Sequence, residues 1–161
     1  MKMGIDIQEY LTKLGQEKFR SIIIHAKPES EAPLRHHVYQ IRDKFGGGYL
    51  DMLSYFVADP QLSAELDRFT PDQFKTLLQN KSKGKRLFIV DRSDFLLDTW
   101  RKSERQAFYR MIHMQWNSFI ESMGATLIFS LQTSNEIESL KIKDSRGNSR
   151  VHRLEEFNEL V

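Results

Sequence analysis

The ten residues from Leu87 to Leu96, LFIVDRSDFL, decide the fold class of this chain. Four consecutive apolar residues end in a carboxylate, and this pattern predicts a short buried strand with Asp91 at its carboxyl end. A strand that is apolar on both faces belongs in a parallel sheet with helices on either side. The neighbouring sequence should therefore supply further buried strands and the helices that connect them.

Other segments predict further strands. Residues 19–26 (FRSIIIHA) predict the first core strand, and residues 125–131 (ATLIFSL) predict another. Residues 49–56 alternate well enough to predict a second strand, although part of this segment also fits a helix. Near the end of the chain, a turn at residues 144–149 predicts a connection between two β segments, residues 140–143 and 150–154.

Apolar residues at helical spacing lie between these strands. They predict a helix that ends near Gly15, one from about Leu34 with Pro33 in its first turn, one or two between residues 60 and 80, and a long one over residues 102–123. Thr70 and Gln73 form a capping-box pattern. The alternation indicates an α/β fold of three layers, a mainly parallel sheet of about five strands flanked by helices.

The composition limits the functions open to the chain. Its 161 residues predict a single domain over 1–161, with a core of about 19–140 and a basic β segment over 141–161. The absence of cysteine excludes thiolate metal sites, cysteine nucleophiles and disulfides. A net charge of +2 is too small to indicate a partner. No apolar leader or span of about 18 residues is present, which predicts a cytoplasmic protein without membrane contact.

The stretch from Leu87 to Leu96 resembles the Walker B segment of P-loop NTPases. It is most similar to the ASCE branch, which includes the AAA ATPases and inserts a strand between the phosphate-loop strand and the Walker B strand. The resemblance implies that Asp91 lies beside the phosphate pocket and holds Mg²⁺ through its shell. Arg92 stands where many relatives carry a catalytic glutamate, which leaves Asp94 as the nearby carboxylate that can polarise a water. The alternative is that Asp91 caps the next helix or turn.

The strand over residues 125–131 has a matching resemblance. The polar residues at its carboxyl end lie where such ATPases carry the residue that senses the γ-phosphate. The resemblance therefore implies that role for Ser130 or Thr133. The alternative is that these polar side chains only form hydrogen bonds with backbone groups of the following loop. The resemblance in the order of strands and helices covers residues 19 to about 140.

The first strand and its loop do not follow the phosphate-loop pattern, G-x-x-x-x-G-K-[ST]. When residues 26–33 are aligned with this pattern, every residue that would contact phosphate is replaced by one that cannot. The residues of this degenerate loop are Ala26, Lys27, Glu29, Glu31, Ala32 and Pro33. Ala and Pro stand where lysine and the hydroxyl are required. Each glutamate would repel a polyphosphate by about 4 kcal/mol at 4 Å and an effective dielectric constant near 20. The resemblance is therefore to a P-loop fold with a degenerate Walker A loop.

In size and segment order, the chain is also similar to the small P-loop protein of bacterial BREX-type phage-defence systems. Together these resemblances imply a non-catalytic pseudo-NTPase, without cofactor, that acts as a binding or assembly subunit of a larger DNA-associated or defence complex. A protein partner or a second copy of the chain is implied. The alternative is an ATPase whose site a partner or second copy completes, with ATP and Mg²⁺ held at Asp91.

Two basic segments offer a third hypothesis. The candidate nucleic-acid contacts are Lys81, Lys83, Lys85, Arg86, Lys141, Lys143, Arg146 and Arg150, with Arg153 nearby. If both segments lie on one face, they form a phosphate-binding footprint for DNA or RNA. The alternative is a solvated surface of mixed charge.

His36 and His37 are adjacent on a predicted helix and point to different sides, so no metal site is predicted.

Overall fold

A computed structural model describes residues 4–115 and 125–159, and a single sheet lies at its centre. The strands are β1 (Ser21–Ala26), β2 (Gly48–Asp51), β3 (Leu87–Asp91), β4 (Thr126–Gln132) and β5 (Val151–Arg153). All neighbouring strands are parallel, in the order β2-β3-β4-β1-β5. The predicted α/β fold with a parallel sheet of five strands flanked by helices is confirmed.

Helices connect the strands. Over the described residues they are α1 (Ile7–Leu14), α2 (Glu31–Phe45), α3 (Met52–Val57), α4 (Pro60–Ala64), α5 (Pro71–Ser82), α6 (Asp94–Thr99), α7 (Lys102–Arg110) and α8 (Asn135–Ser139). Short 3-10 turns lie at Pro28–Ser30, Leu66–Arg68 and Leu154–Glu156, and a π-helical turn follows α7 at Met111–Gln115. The predicted capping box of Thr70 and Gln73 begins α5.

The two faces of the sheet are covered by different helices. Alternate residues along each strand point to opposite faces, so Ile23 and Phe129 belong to one core while Ile22 and Ile128 belong to the other. The first core contains an aromatic cluster from α5 to α7 around the fully buried Phe74. The second core contains α1 and α2. This arrangement gives three layers.

Two predicted boundaries differ from the structure. The second strand ends at Asp51, and residues 52–57 are helical because the Asp51 carboxylate accepts a hydrogen bond from the Ser54 amide and caps α3. Helix α2 begins at Glu31 rather than near Leu34, and Pro33 lies in its first turn as predicted. The long helix predicted over 102–123 is described only as far as Gln115, because residues 116–124 lie outside the described part.

The C-terminal segment agrees with the prediction in part: the turn and the strand after it are present, but residues 140–143 do not form a strand. Lys143 and Ser149 form an isolated antiparallel bridge, but the next residues do not continue a hairpin. Val151–Arg153 instead pairs in parallel with β1 at the edge of the sheet. The segment therefore supplies the fifth strand of the parallel sheet.

The parallel sheet has two distinct edges. The carboxyl ends of all five strands lie along one of them, here called the carboxyl edge, and the loops that precede the strands lie along the other, the amino edge. In α/β sheets of this kind, ligands bind outside the carboxyl ends of the strands. Asp51 and Asp91 both end their strands there, in register across β2 and β3.

Candidate functional site at the carboxyl edge

Asp91 is the centre of a hydrogen-bonded cluster at the carboxyl edge. Its side chain is 1% exposed, and Arg35 of α2 donates to both carboxylate oxygens, from Nε to Oδ2 at 2.9 Å and from Nη2 to Oδ1 at 3.0 Å. The hydroxyls of Tyr49 and Ser130 also donate to this carboxylate, as does the Arg92 amide at 2.9 Å. Burial alone would raise the pKa of Asp91, but the hydrogen bonds from Arg35, Ser130 and Tyr49 outweigh burial and lower the pKa.

A second arginine and carboxylate pair lies beside the first. Arg92 Nε donates to Asp51 Oδ2 at 2.9 Å, and Arg92 Nη2 donates to the same oxygen and to Ser54 Oγ. Burial opposes the ionisation of Asp51, but the hydrogen bonds from Arg92 and Ser54 lower its pKa. Arg92 has a φ of 54°, a left-handed conformation that costs a non-glycine residue about 1 kcal/mol. This turn places its side chain beside β2, so each carboxylate of the cluster has its own guanidinium.

Asp94 lies apart from this cluster. It is the first residue of α6, and its Oδ1 accepts a hydrogen bond of 2.7 Å from the Gln132 amide. It lines a neighbouring cavity of about 400 Å³, where Arg105 and Glu136 form a bidentate ion pair. Burial raises the pKa of Asp94, and the nearby carboxylates add to this effect. Its structural role is to hold the end of β4 against the start of α6.

Thr133 also has a different partner from the one implied by the resemblance. Its amide donates to the Ala26 carbonyl at 2.9 Å, and its hydroxyl lies 2.8 Å from His25 Nδ1. Of the two sensor-like residues, only Ser130 contacts Asp91 directly. The carboxyl edge therefore brings Asp91 and Ser130 together and pairs Thr133 with the end of β1.

The segment aligned with the phosphate loop is folded into a compact turn. Ala26 is the buried last residue of β1, and the exposed Lys27 precedes the 3-10 turn. In this turn the Ser30 amide donates to the Lys27 carbonyl at 2.8 Å, and the Glu31 amide donates to the Pro28 carbonyl. Two amides that a phosphate would need are therefore already used by the backbone.

The first three residues of α2 carry neither the lysine nor the hydroxyl of a phosphate loop either. Ala32 and Pro33 are exposed, and Glu29 is exposed on the preceding turn. Glu31 Oε1 accepts a hydrogen bond of 2.8 Å from Arg35, the residue that also holds Asp91. The start of α2 thus faces the cluster with a carboxylate and an arginine.

The basic residues lie elsewhere. Lys81, Lys83, Lys85 and Arg86 are exposed before β3 at the amino edge, and Lys141, Lys143 and Arg146 are exposed in the C-terminal segment. Arg153 pairs with Glu138. The prediction that Arg150 contacts nucleic acid was wrong, because Arg150 is 1% exposed and its guanidinium donates to four backbone carbonyls.

Three residues of the cluster had no predicted role: Arg35, Tyr49 and Asp51. A signal existed for Asp51, which ends a short strand just as Asp91 does. No comparable signal pointed to Arg35, because the two residues of the Arg35 and Asp91 pair lie 56 positions apart.

Comparison with known proteins gives no family assignment. No protein-family model matches this chain, and no curated protein matches it either.

Within residues 4–115 and 125–159, no three histidine or carboxylate side chains converge as a metal site would require. None of the described helices is long and apolar enough to cross a membrane.

Two buried histidines are expected to make the protein less stable as the pH falls from 7 to 5. Burial lowers the pKa of His25 and of His37, so folding favours their neutral forms. This contribution is present above the unfolded pKa of about 6.5 and is lost as the pH falls. His37→Phe should flatten the decline in the free energy of unfolding, measured with urea at pH 7, 6 and 5. An equal decline in both proteins would contradict this explanation.

Proposed function

We propose that this protein is a non-catalytic binding or assembly subunit with a P-loop NTPase-like fold whose nucleotide site has been replaced by internal ion pairs. The strand order supports the fold assignment, because β4 lies between β1 and β3 as in the branch that the sequence resembles. Asp91 also ends β3 at the carboxyl edge, where that branch carries its Walker B aspartate.

The observation that carries the proposal is the saturation of Asp91. Both of its oxygens accept hydrogen bonds from Arg35, and Tyr49, Ser130 and the Arg92 amide add three more. A magnesium ion would have to displace these donors and would be repelled by two guanidinium groups. The residues present therefore do not fit a magnesium ion.

The turn before α2 supports the same conclusion for the nucleotide. Ala32 and Pro33 stand at the positions where a phosphate loop carries its lysine and its hydroxyl. Glu29 and Glu31 add negative charge beside the site. The protein is proposed to use the fold as a rigid scaffold for a protein partner or a second copy. Leu53 and Val57 of α3, which are 37% and 71% exposed, lie next to edge strand β2 and provide apolar surface for such contact.

Calorimetric titration with ATP, with and without Mg²⁺, tests the proposal. We expect no binding heat at micromolar to millimolar ATP, either in the natural protein or in an Asp91→Ala variant whose folding has been checked by circular dichroism. Micromolar, Mg²⁺-dependent binding that is absent from the variant would contradict the proposal.

The contact between Ser130 and Asp91 favours one alternative, an ATPase whose site a partner completes. In that case the partner must draw Arg35 away from Asp91 before a metal can bind. ATP turnover by the assembled complex would then be abolished in Asp91→Ala. Turnover that is unchanged in the variant would remove this alternative.

A further inference from the structure

The loops at the amino edge of the sheet carry a large excess of positive charge. Four segments lie at this edge: residues 15–20, 43–47, 81–86 and 143–149. Together they contain nine lysine or arginine residues and three aspartate or glutamate residues. The net charge of the whole chain is only +2, so this edge is far more positive than the composition indicates.

The carboxyl edge has the opposite charge. Its segments are residues 27–31, 51, 91–94, 132–136 and 153–156. They contain eight carboxylates and three basic residues, and Arg35 of α2 adds a fourth basic group. A polyanion is therefore repelled by the edge where α/β proteins usually bind ligands and is attracted to the opposite edge.

The positive charges of the loop before β3 are free to contact a polyanion. Lys83, Lys85 and Arg86 are exposed, and none of them takes part in the ion pairs formed within residues 4–115 and 125–159. Two carboxylates of the amino edge are already engaged. Glu17 accepts two hydrogen bonds of 2.7 Å from Ser145, and Asp144 accepts two of 2.9 Å from nearby backbone amides.

A concave surface adjoins these charges. A cavity of about 650 Å³ lies between α1 and the amino edge, and Arg20 and Arg86 both line it. Gln8, Thr12 and Thr126 add amide and hydroxyl groups to its wall. Guanidinium, amide and hydroxyl groups are among the side chains that contact phosphate oxygens in nucleic-acid complexes.

The spacing of the two basic loops fits a nucleic-acid duplex. The loops before β3 and β5 are separated by three strand spacings, since β4 and β1 lie between them, which amounts to about 14 Å. The major groove of DNA is about 12 Å wide, so the two loops can contact phosphates on opposite sides of it. We propose that the amino edge binds duplex nucleic acid through its phosphate backbone.

The surface chemistry favours a duplex over the other polyanions. The large apolar residues of the four segments, Phe19 and Phe45, are both partly buried, so these segments present no fully exposed aromatic ring on which single-stranded bases could stack. They also present no apolar anchor of the kind that holds proteins in a lipid surface. The proposal does not depend on the nucleotide site, because the two edges lie at opposite ends of the strands.

Fluorescence anisotropy with a labelled 20-base-pair DNA duplex tests this proposal over a range of salt concentrations. The Lys83→Glu/Lys85→Glu double variant should bind at least tenfold more weakly than the natural protein at low salt. Its plot of log K against log salt should be shallower by about 0.9 for each phosphate that the variant no longer neutralises. Lys27→Glu, an exposed change at the carboxyl edge, is the matched control and should alter neither quantity.

Parallel titrations distinguish the other partners. A single strand of equal length and vesicles of anionic lipid should both bind more weakly than the duplex. Absence of duplex binding at 50 mM salt, an unchanged salt slope in the double variant, or tighter binding to the vesicles would overturn the proposal. Circular dichroism of each variant confirms that these exposed substitutions leave the fold intact.

Discussion

Arg35→Met is expected to lower the free energy of unfolding by about 3 to 5 kcal/mol, the usual cost of leaving one member of a buried ion pair without its partner. The side chain of Asp91 is 1% exposed and that of Arg35 is 19% exposed, so water cannot replace the guanidinium easily. The hydrogen bonds from Tyr49 and Ser130 remain, but they do not neutralise the charge. Urea unfolding at pH 7, followed by circular dichroism, measures the change.

Two variants make this prediction specific. Arg42→Met removes another arginine of α2, one that pairs with Asp43 at the surface and lies over the rings of Tyr39 and Tyr49. It should lower the free energy of unfolding by no more than about 1 kcal/mol. Asp91→Asn combined with Arg35→Met removes the buried charge together with its partner and should recover most of the stability. If Arg35→Met is no less stable than Arg42→Met, the ion pair does not hold the carboxyl edge together.

The strands were predictable because most of them are buried on both faces. Residues 21–26, 87–91 and 126–132 contain continuous apolar runs, and a run of this kind has few positions in a fold other than the centre of a parallel sheet. The segment from Tyr49 to Phe56 was harder, because its alternation is compatible with either a strand or a short helix. The Asp51 cap resolves this choice, and a side-chain hydrogen bond of this type has no periodic signal.

The carboxyl-edge cluster was predictable only in part. Parallel strands bring their carboxyl ends together, so Asp91 and Ser130 could be placed near each other from the sequence. Arg35 could not, because its contact with Asp91 depends on how α2 packs across the sheet. Thr133 was assigned to the same pocket, but its hydroxyl bonds to His25 instead. Sequence position gives the edge on which a side chain lies, whereas the partner depends on packing.

Arg150 shows the same limit for charged residues. It lies in the same segment as Lys143 and Arg146, which are both exposed. The local sequence contains no pattern that distinguishes Arg150 from these two residues. Its backbone amide donates to the Ile142 carbonyl at 2.7 Å, which fixes the backbone just before β5 begins, with the side chain directed into the protein. Only the three-dimensional structure distinguishes this buried arginine from its exposed neighbours.

Arg150→Met is expected to be the second strongly destabilising substitution. The guanidinium donates to the carbonyls of Ser21, Ile112, His113 and Lys143 at 2.6 to 3.2 Å, which joins β1, the turn after α7 and the C-terminal segment. Each buried polar group left without its partner costs about 1 to 3 kcal/mol, so we expect the free energy of unfolding in urea to fall by at least about 3 kcal/mol. Arg146→Met, at an exposed position nearby, should have little effect on stability.

The role of Arg150 also separates stability from nucleic-acid binding. Because its side chain is buried, Arg150→Met should weaken the fold while leaving the salt slope of duplex binding unchanged under conditions where the variant is folded. Arg146 is exposed at the amino edge, so Arg146→Glu should reduce that slope with little effect on stability. The reverse pattern, with a shallower slope for Arg150→Met, would show that this guanidinium reaches the phosphates and that the amino edge rearranges on binding.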